Sequence, residues 1–246
     1  MTMRQILPGA LITWVMFTAT ATLYAFPTDG VVAPVPETLA DKTYELQIEH
    51  HGVQVMQGRA YFDRIGLQVG LGGGWEVGFD HHLGGPDRTI SSYPHYRWHL
   101  KYDPAKVGFD KHWFNFKKQI LTEKKSRPAL AWGVLNIGGN AGSGNYIVAG
   151  KHFGRWQLCL GWSDILDNPS FHYDEPDFVY EVIGYQYNDD WKFWAEHISR
   201  GGFSTNFAGE GRIADNLYLT AGWMRANNVL HDDAWILNLT YRGTWQ

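Results

Sequence analysis

From Trp235 to Trp245 the chain changes character at almost every step. The odd positions are Trp235, Leu237, Leu239, Tyr241, Gly243 and Trp245; the even ones are Ile236, Asn238, Thr240, Arg242 and Thr244. Successive side chains of a strand point to opposite faces, so this pattern puts aromatic and aliphatic groups on one side. The other side is mainly polar and carries a cation. Similar patterns recur through the C-terminal half, separated by tiny turns and longer loops. Such a chain is written for a transmembrane β-barrel, lipid side out and wet side in. A soluble antiparallel sandwich is the competing architecture.

With 246 residues, 44% of them hydrophobic, the chain can bury one core, and no linker divides it. No long apolar run follows the N-terminus, which argues against a helical membrane protein. A barrel strand escapes such a scan because every second residue is polar. The 28 Gly, 12 Trp, 13 Tyr and 13 Phe suit Gly-jointed strands ringed by aromatic girdles. Residues 1–25 read as a signal peptide, with Arg4 before an apolar stretch and small residues at Ala19, Ala21 and Ala25. Cleavage after Ala21 and after Ala25 both remain open. Cys159 is the single cysteine, so no intramolecular disulfide forms, and it reads as a packed strand residue. A net charge of -4 leaves no footprint for nucleic acid.

Residues 26–42 are Pro-rich and lack periodicity, and are expected to form an extended periplasmic segment ahead of a barrel over 43–246. The barrel is expected to be all-β, closed and antiparallel. About twelve strands are expected, near 43–51, 64–72, 75–83, 113–121, 128–138, 145–153, 155–163, 178–187, 191–199, 204–213, 217–226 and 233–245. The segment 95–102 suits either a strand or a loop hairpin, so 10 or 14 strands are the alternatives. Short connections at 73–74, 122–127, 154, 188–190 and 214–216 tend to alternate with longer ones at 52–63, 84–112 and 164–177. Outer-membrane barrels show this asymmetry between their two ends. Closure is required, because an open edge in hydrocarbon leaves backbone groups unpaired at several kcal/mol each. Strands 128–138 and 178–187 are apolar on both sides, so their register is open.

The segments 70–82 (GLGGGWEVGFDHH), 114–118, 127–138, 145–162, 189–202, 216–227 and 234–245 together resemble a family of bacterial outer-membrane barrels. That family is distantly akin to the YjbH-type exopolysaccharide-associated β-barrels. The resemblance implies an outer-membrane location, a barrel fold and an envelope-polysaccharide role as one possible function. The aromatic last strand also resembles the signal read by the barrel assembly machinery, although Gln246 displaces the terminal aromatic by one position. The partners expected are therefore outer-membrane lipid and that machinery.

Alternation points Glu76, Asp80, Lys117, Lys192, Glu196, Glu210, Arg212 and Arg242 inward. Charges at membrane depth are costly unless paired or wet, so pairing across the lumen is expected, for example Lys192 with Glu196 or Glu210 with Arg212. These charges could simply plug the barrel, or they could line a narrow passage and set its selectivity. The favoured function is a small porin-like or transport-related channel rather than an enzyme. The alternative is a lipid-facing acyl hydrolase built on His197 and Ser199, two apart and so on one face of a strand. This pair resembles the His-x-Ser of outer-membrane phospholipase A and lipid A deacylase, in which His activates a Ser nucleophile. Those families place the residue that orients the His fourteen positions after it, and that position here is Gly211. No cofactor or metal site is expected: His50-His51 and His81-His82 put neighbours on opposite faces, and His81, His95, His99 and His112 meet only if the long loop folds them together. The acidic residues Asp167, Asp174, Glu175 and Asp177 lack the spacing of a 12-residue calcium loop.

Overall fold

The structure, a computed structural model, describes residues 33–55, 58–84, 112–137, 144–165, 177–199, 203–226 and 231–246. The signal peptide with both cleavage positions, the 95–102 segment, His95, His99 and Asp167, Asp174 and Glu175 lie outside them. Twelve strands run in order: β1 (Thr43–Val55), β2 (Gly58–Gly72), β3 (Trp75–Gly84), β4 (His112–Leu121), β5 (Ala129–Ile137), β6 (Gly144–Phe153), β7 (Trp156–Ile165), β8 (Asp177–Gln186), β9 (Trp191–Ile198), β10 (Phe203–Ala214), β11 (Leu217–Ala226) and β12 (His231–Thr244). Each pairs antiparallel with its neighbours in sequence, and β1 closes on β12. β3 pairs directly with β4, with no strand between them among the described residues. No helix among the described residues is long and apolar enough to cross a membrane.

The expected twelve strands match closely, with one local difference. Residues 52–63 form most of a hairpin in which β1 and β2 stay paired as far as Val55 and Gly58, rather than a loop. At the opposite end the turns are tight: Gly73 (φ 59°) and Asn216 (φ 61°) sit in left-handed conformations that let the chain reverse in two residues.

The outward face is apolar. Leu46, Ile48, Leu67, Val77, Leu158, Leu160, Ile183 and Leu237 are exposed along it. Trp75, Trp156, Trp191 and Trp245 stand near the short-turn end, and Trp162, Trp223 and Trp235 nearer the other end. The Trp223 and Trp235 rings belong to directly paired residues. Exposed aliphatic groups between two rows of indoles form the banded surface of a lipid-embedded barrel. Burial also settles β8: Tyr180 and Val182 point inward, and Val179, Glu181 and Ile183 outward.

Candidate functional site

The interior has two unlike halves. β5 to β8 contribute Ala131, Leu135, Tyr146, Val148, Cys159, Tyr180 and Val182, which cluster with Ile198 of β9. The remaining strands contribute charge. Arg64 of β2 reaches Glu49 of β1 at 2.9 Å and Asp80 of β3 at 3.0 Å. Asn115 of β4 donates to the second oxygen of Asp80. Lys117 Nζ lies 3.3 Å from Glu76, and both side chains are fully buried. Arg242 of β12 bridges two carboxylates, Glu45 of β1 at 2.7 Å and Glu210 of β10 at 3.0 Å, with its guanidinium 3.9 Å from the Tyr218 ring. Lys192 of β9 joins the same Glu210 at 3.3 Å. Such pairing offsets part of the cost of taking these groups away from water.

Glu76, Asp80, Lys117, Lys192, Glu196, Glu210 and Arg242 therefore point inward as the alternation indicates. The pairing differs from expectation. Lys192 meets Glu210, its directly opposed cross-strand partner, and not Glu196. Arg212 does not join the lumen at all: beside a register shift near the β10–β11 turn it pairs with Asp190 at the rim, with 45% of its side chain exposed. The charges of Glu45, Glu49 and Arg64 and the amides of Gln47 and Gln68 complete the polar wall. Sequence reasoning missed them, although Glu45-Leu46-Gln47-Ile48-Glu49 alternates without a break and the same pattern places Arg64 opposite the Ile65-Leu67 face.

The largest departure concerns the N-terminal segment. Its described part enters the barrel. A turn from Ala40 to Thr43, with Lys42 left-handed (φ 57°), joins this segment to β1, and Thr43 donates from both its backbone and its hydroxyl to the Ala40 carbonyl. Ala33, Pro34, Pro36 and Leu39 are all buried. The backbone N–H of Leu39 donates to Glu76 at 2.7 Å, and that of Ala33 to Glu196 at 2.9 Å. Gln119 donates to the Pro36 carbonyl, and Gln157 to the Glu37 carboxylate at 2.8 Å. Proline suits this path, because Pro34 and Pro36 bring no N–H that would need a partner. The wall makes room with glycine: a Cβ on Gly70 would stand 2.0 Å from the Ala40 oxygen, and one on Gly150 would stand 2.7 Å from Pro36. The segment thus crosses from the β1–β3 side of the lumen to the β6–β9 side.

At the short-turn end, Glu123 of the β4–β5 connection receives the backbone N–H of His152 and approaches its Nδ1 at 2.7 Å. Glu37 lies beside them: one ligand atom from each of Glu37, Glu123 and His152 falls within 4.8 Å of the others. Burial raises the Glu37 carboxyl above its ordinary value, against the opposing pull of His152 and Gln157. Sequence spacing gave no sign of this cluster, since its members come from three separate elements. Among the other histidines, His81 and His112 meet without help from the long loop, Nδ1 to Nδ1 at 3.0 Å across β3 and β4.

On the outer face, His197 and Ser199 lie exposed near the end of β9. Glu181 is the cross-strand neighbour of His197, a possible orienting acid on the preceding strand where the sequence comparison looked to a following one. The Ser199 hydroxyl accepts the N–H of Val179 at 3.0 Å. No hydrogen bond joins it to His197 among the described residues.

Comparison with known proteins agrees with this architecture. A family model described as exopolysaccharide biosynthesis protein YbjH (YjbH) matches residues 96–190. No curated protein matches the chain. Among solved structures, a KdgM porin aligns with a TM-score of 0.52 at 9% identity, covering 80% of this chain and 98% of its own. The KdgM porin in complex with disordered oligogalacturonate gives 0.52 at 7% identity, with the same 80% and 98% coverage. The COG4313 outer membrane channel from Pseudomonas putida F1 gives 0.51 at 12% identity, covering 87% of this chain and all of its own. By fold, the chain is a closed twelve-stranded antiparallel β-barrel similar to those of outer-membrane porins and channels.

Proposed function

We propose that the protein is a small channel of the bacterial outer membrane, exported by its N-terminal signal, with a charged lumen closed in this conformation by residues 33–42. The carrying observation is the inward charge network of β1–β4 and β9–β12 behind an apolar outer face. A barrel filled only for stability gains little from buried ion pairs, because desolvation offsets most of their attraction. A passage for polar solutes needs such groups, since they present charge to whatever enters. The N-terminal segment is held largely by hydrogen bonds to Glu76, Gln119, Gln157 and Glu196, partners that water can replace when the segment leaves. The β12 strand, ending in Trp245, serves in this reading as the assembly signal.

The test is single-channel recording of the refolded chain in a planar bilayer. Discrete steps whose ion selectivity shifts in Arg242→Ser and Lys192→Gln support the channel. A heat-modifiable, correctly folded barrel that stays silent even when residues 33–42 are displaced overturns it. A second reading, association with the export of an envelope polysaccharide, is favoured by the family match over 96–190 and by the saccharide in the KdgM complex. Co-purification of a polysaccharide-handling partner with a silent barrel would select it. The lipid-facing hydrolase reading stands or falls on esterase activity in detergent that is lost in Ser199→Ala.

A further inference from the structure

The geometry points to a divalent metal site of the zinc class, formed by Glu37, Glu123 and His152, that fastens the N-terminal segment to the barrel rim. The inference deepens the channel reading, in which that segment closes the lumen. Three residues far apart in sequence converge: Glu37 on the inserted segment, Glu123 on the β4–β5 connection and His152 at the end of β6. Imidazole with carboxylates is a donor set that suits zinc. Ligand atoms sharing one zinc at about 2.0–2.2 Å each stand no more than roughly 4.4 Å apart. The observed spread, within 4.8 Å, closes to that with small side-chain rotations.

A second observation concerns the imidazole itself. Glu123 approaches its Nδ1 at 2.7 Å, a separation at which a carboxylate oxygen and an imidazole nitrogen can ligate one zinc in place of the proton they share. The local architecture also holds the donors in place. Lys151 anchors the β4–β5 connection by donating to the carbonyls of Lys124 and Lys125, and Gln157 holds one Glu37 oxygen. Any ion bound here links the segment to two parts of the wall at once, so leaving the lumen requires breaking metal–ligand bonds as well as hydrogen bonds.

The experiment uses the full chain refolded in detergent, in a His112→Ala background that removes the His81–His112 imidazole pair as a competing site. After stripping with EDTA, zinc chloride is titrated in by calorimetry, and heat modifiability on gels confirms that each variant is folded. One saturable site is expected, weakened at least tenfold in His152→Ala and in Glu37→Gln. The absence of a saturable site, or binding unaltered in both variants, overturns the site. The unique Cys159 reports the fastening, because Cys159 and Pro36 both pack on Gly150 inside the lumen. Maleimide labelling of Cys159 should slow about tenfold on adding zinc, and the effect should vanish in Glu37→Gln. Zinc bound with labelling unchanged overturns the fastening. A barrel that conducts but binds no zinc sinks this inference alone, and one that binds zinc but never conducts sinks only the channel reading.

Discussion

The two halves of the lumen solve the same problem with different chemistry. Along β5–β8 the inner face is Ala131, Tyr146, Val148, Cys159, Tyr180 and Val182, packed as an ordinary core with Ala33 of the inserted segment. Along β1–β4 and β9–β12 it is a network in which Arg64, Lys117, Lys192 and Arg242 each face one or two carboxylates. The apolar half loses little when a group is slightly trimmed. The charged half tolerates no missing partner, because a lone buried ion keeps its desolvation penalty without the attraction that offsets it. Both halves hold the N-terminal segment: the apolar half through contact with Ala33 and Val35, the charged half through the carboxylates of Glu76 and Glu196. A barrel that needed only filling could have been apolar throughout. The asymmetry is what makes one side of this lumen a surface for charge.

The largest expected effect comes from separating the segment from both halves. Gly70→Val places a branched side chain where the Ala40 carbonyl sits 2.0 Å from a would-be Cβ, and that contact is with backbone. Bilayer recordings should then change from long closed periods to sustained discrete openings; a variant as closed as the parent breaks the idea that the segment is the obstruction. Next, Lys117→Met leaves Glu76 buried without its cation and should cost about 3–5 kcal/mol, read as a lower urea midpoint for unfolding from detergent. An effect no larger than that of a core methylene would erase the distinction between the halves. In the apolar half, Ile198→Val removes one methylene and should cost about 0.5–1.5 kcal/mol in the same assay. The smallest change belongs to the rim. Arg212→Ala breaks an exposed pair with Asp190 and should shift stability by less than ~1 kcal/mol, with single-channel selectivity unchanged because Arg212 lies outside the lumen. A clear change in selectivity would return Arg212 to the permeation path.

Much of this wall was legible from local pattern. Trp156-Gln157-Leu158-Cys159-Leu160 tells lipid side from lumen side residue by residue, because each strand side chain faces one environment or the other. Where both faces are apolar the rule has no contrast to use. β8 illustrates this: Val179 and Val182 are chemically alike, yet one is exposed and the other buried, and only pairing with β7 and β9 decides which. Arg212 shows the other limit. Its parity matches Glu210, but a register shift between Arg212 and Ala214 carries it to the rim.

The sequence by itself determined the barrel, a strand number near twelve, the lipid-facing bands and most of the inward charges, since period-two alternation is a property of each strand alone. The tertiary structure decided who pairs with whom and what fills the centre. Arg242 meets Glu45 across the closing seam between the first and last strands, and Ala33 meets Glu196 across 163 residues of chain. The insertion of residues 33–42 belongs to the same class. Its prolines signal an extended segment wherever it lies, and only the closed wall, with its glycine clearances and inward carboxylates, supplies the partners that draw it inside.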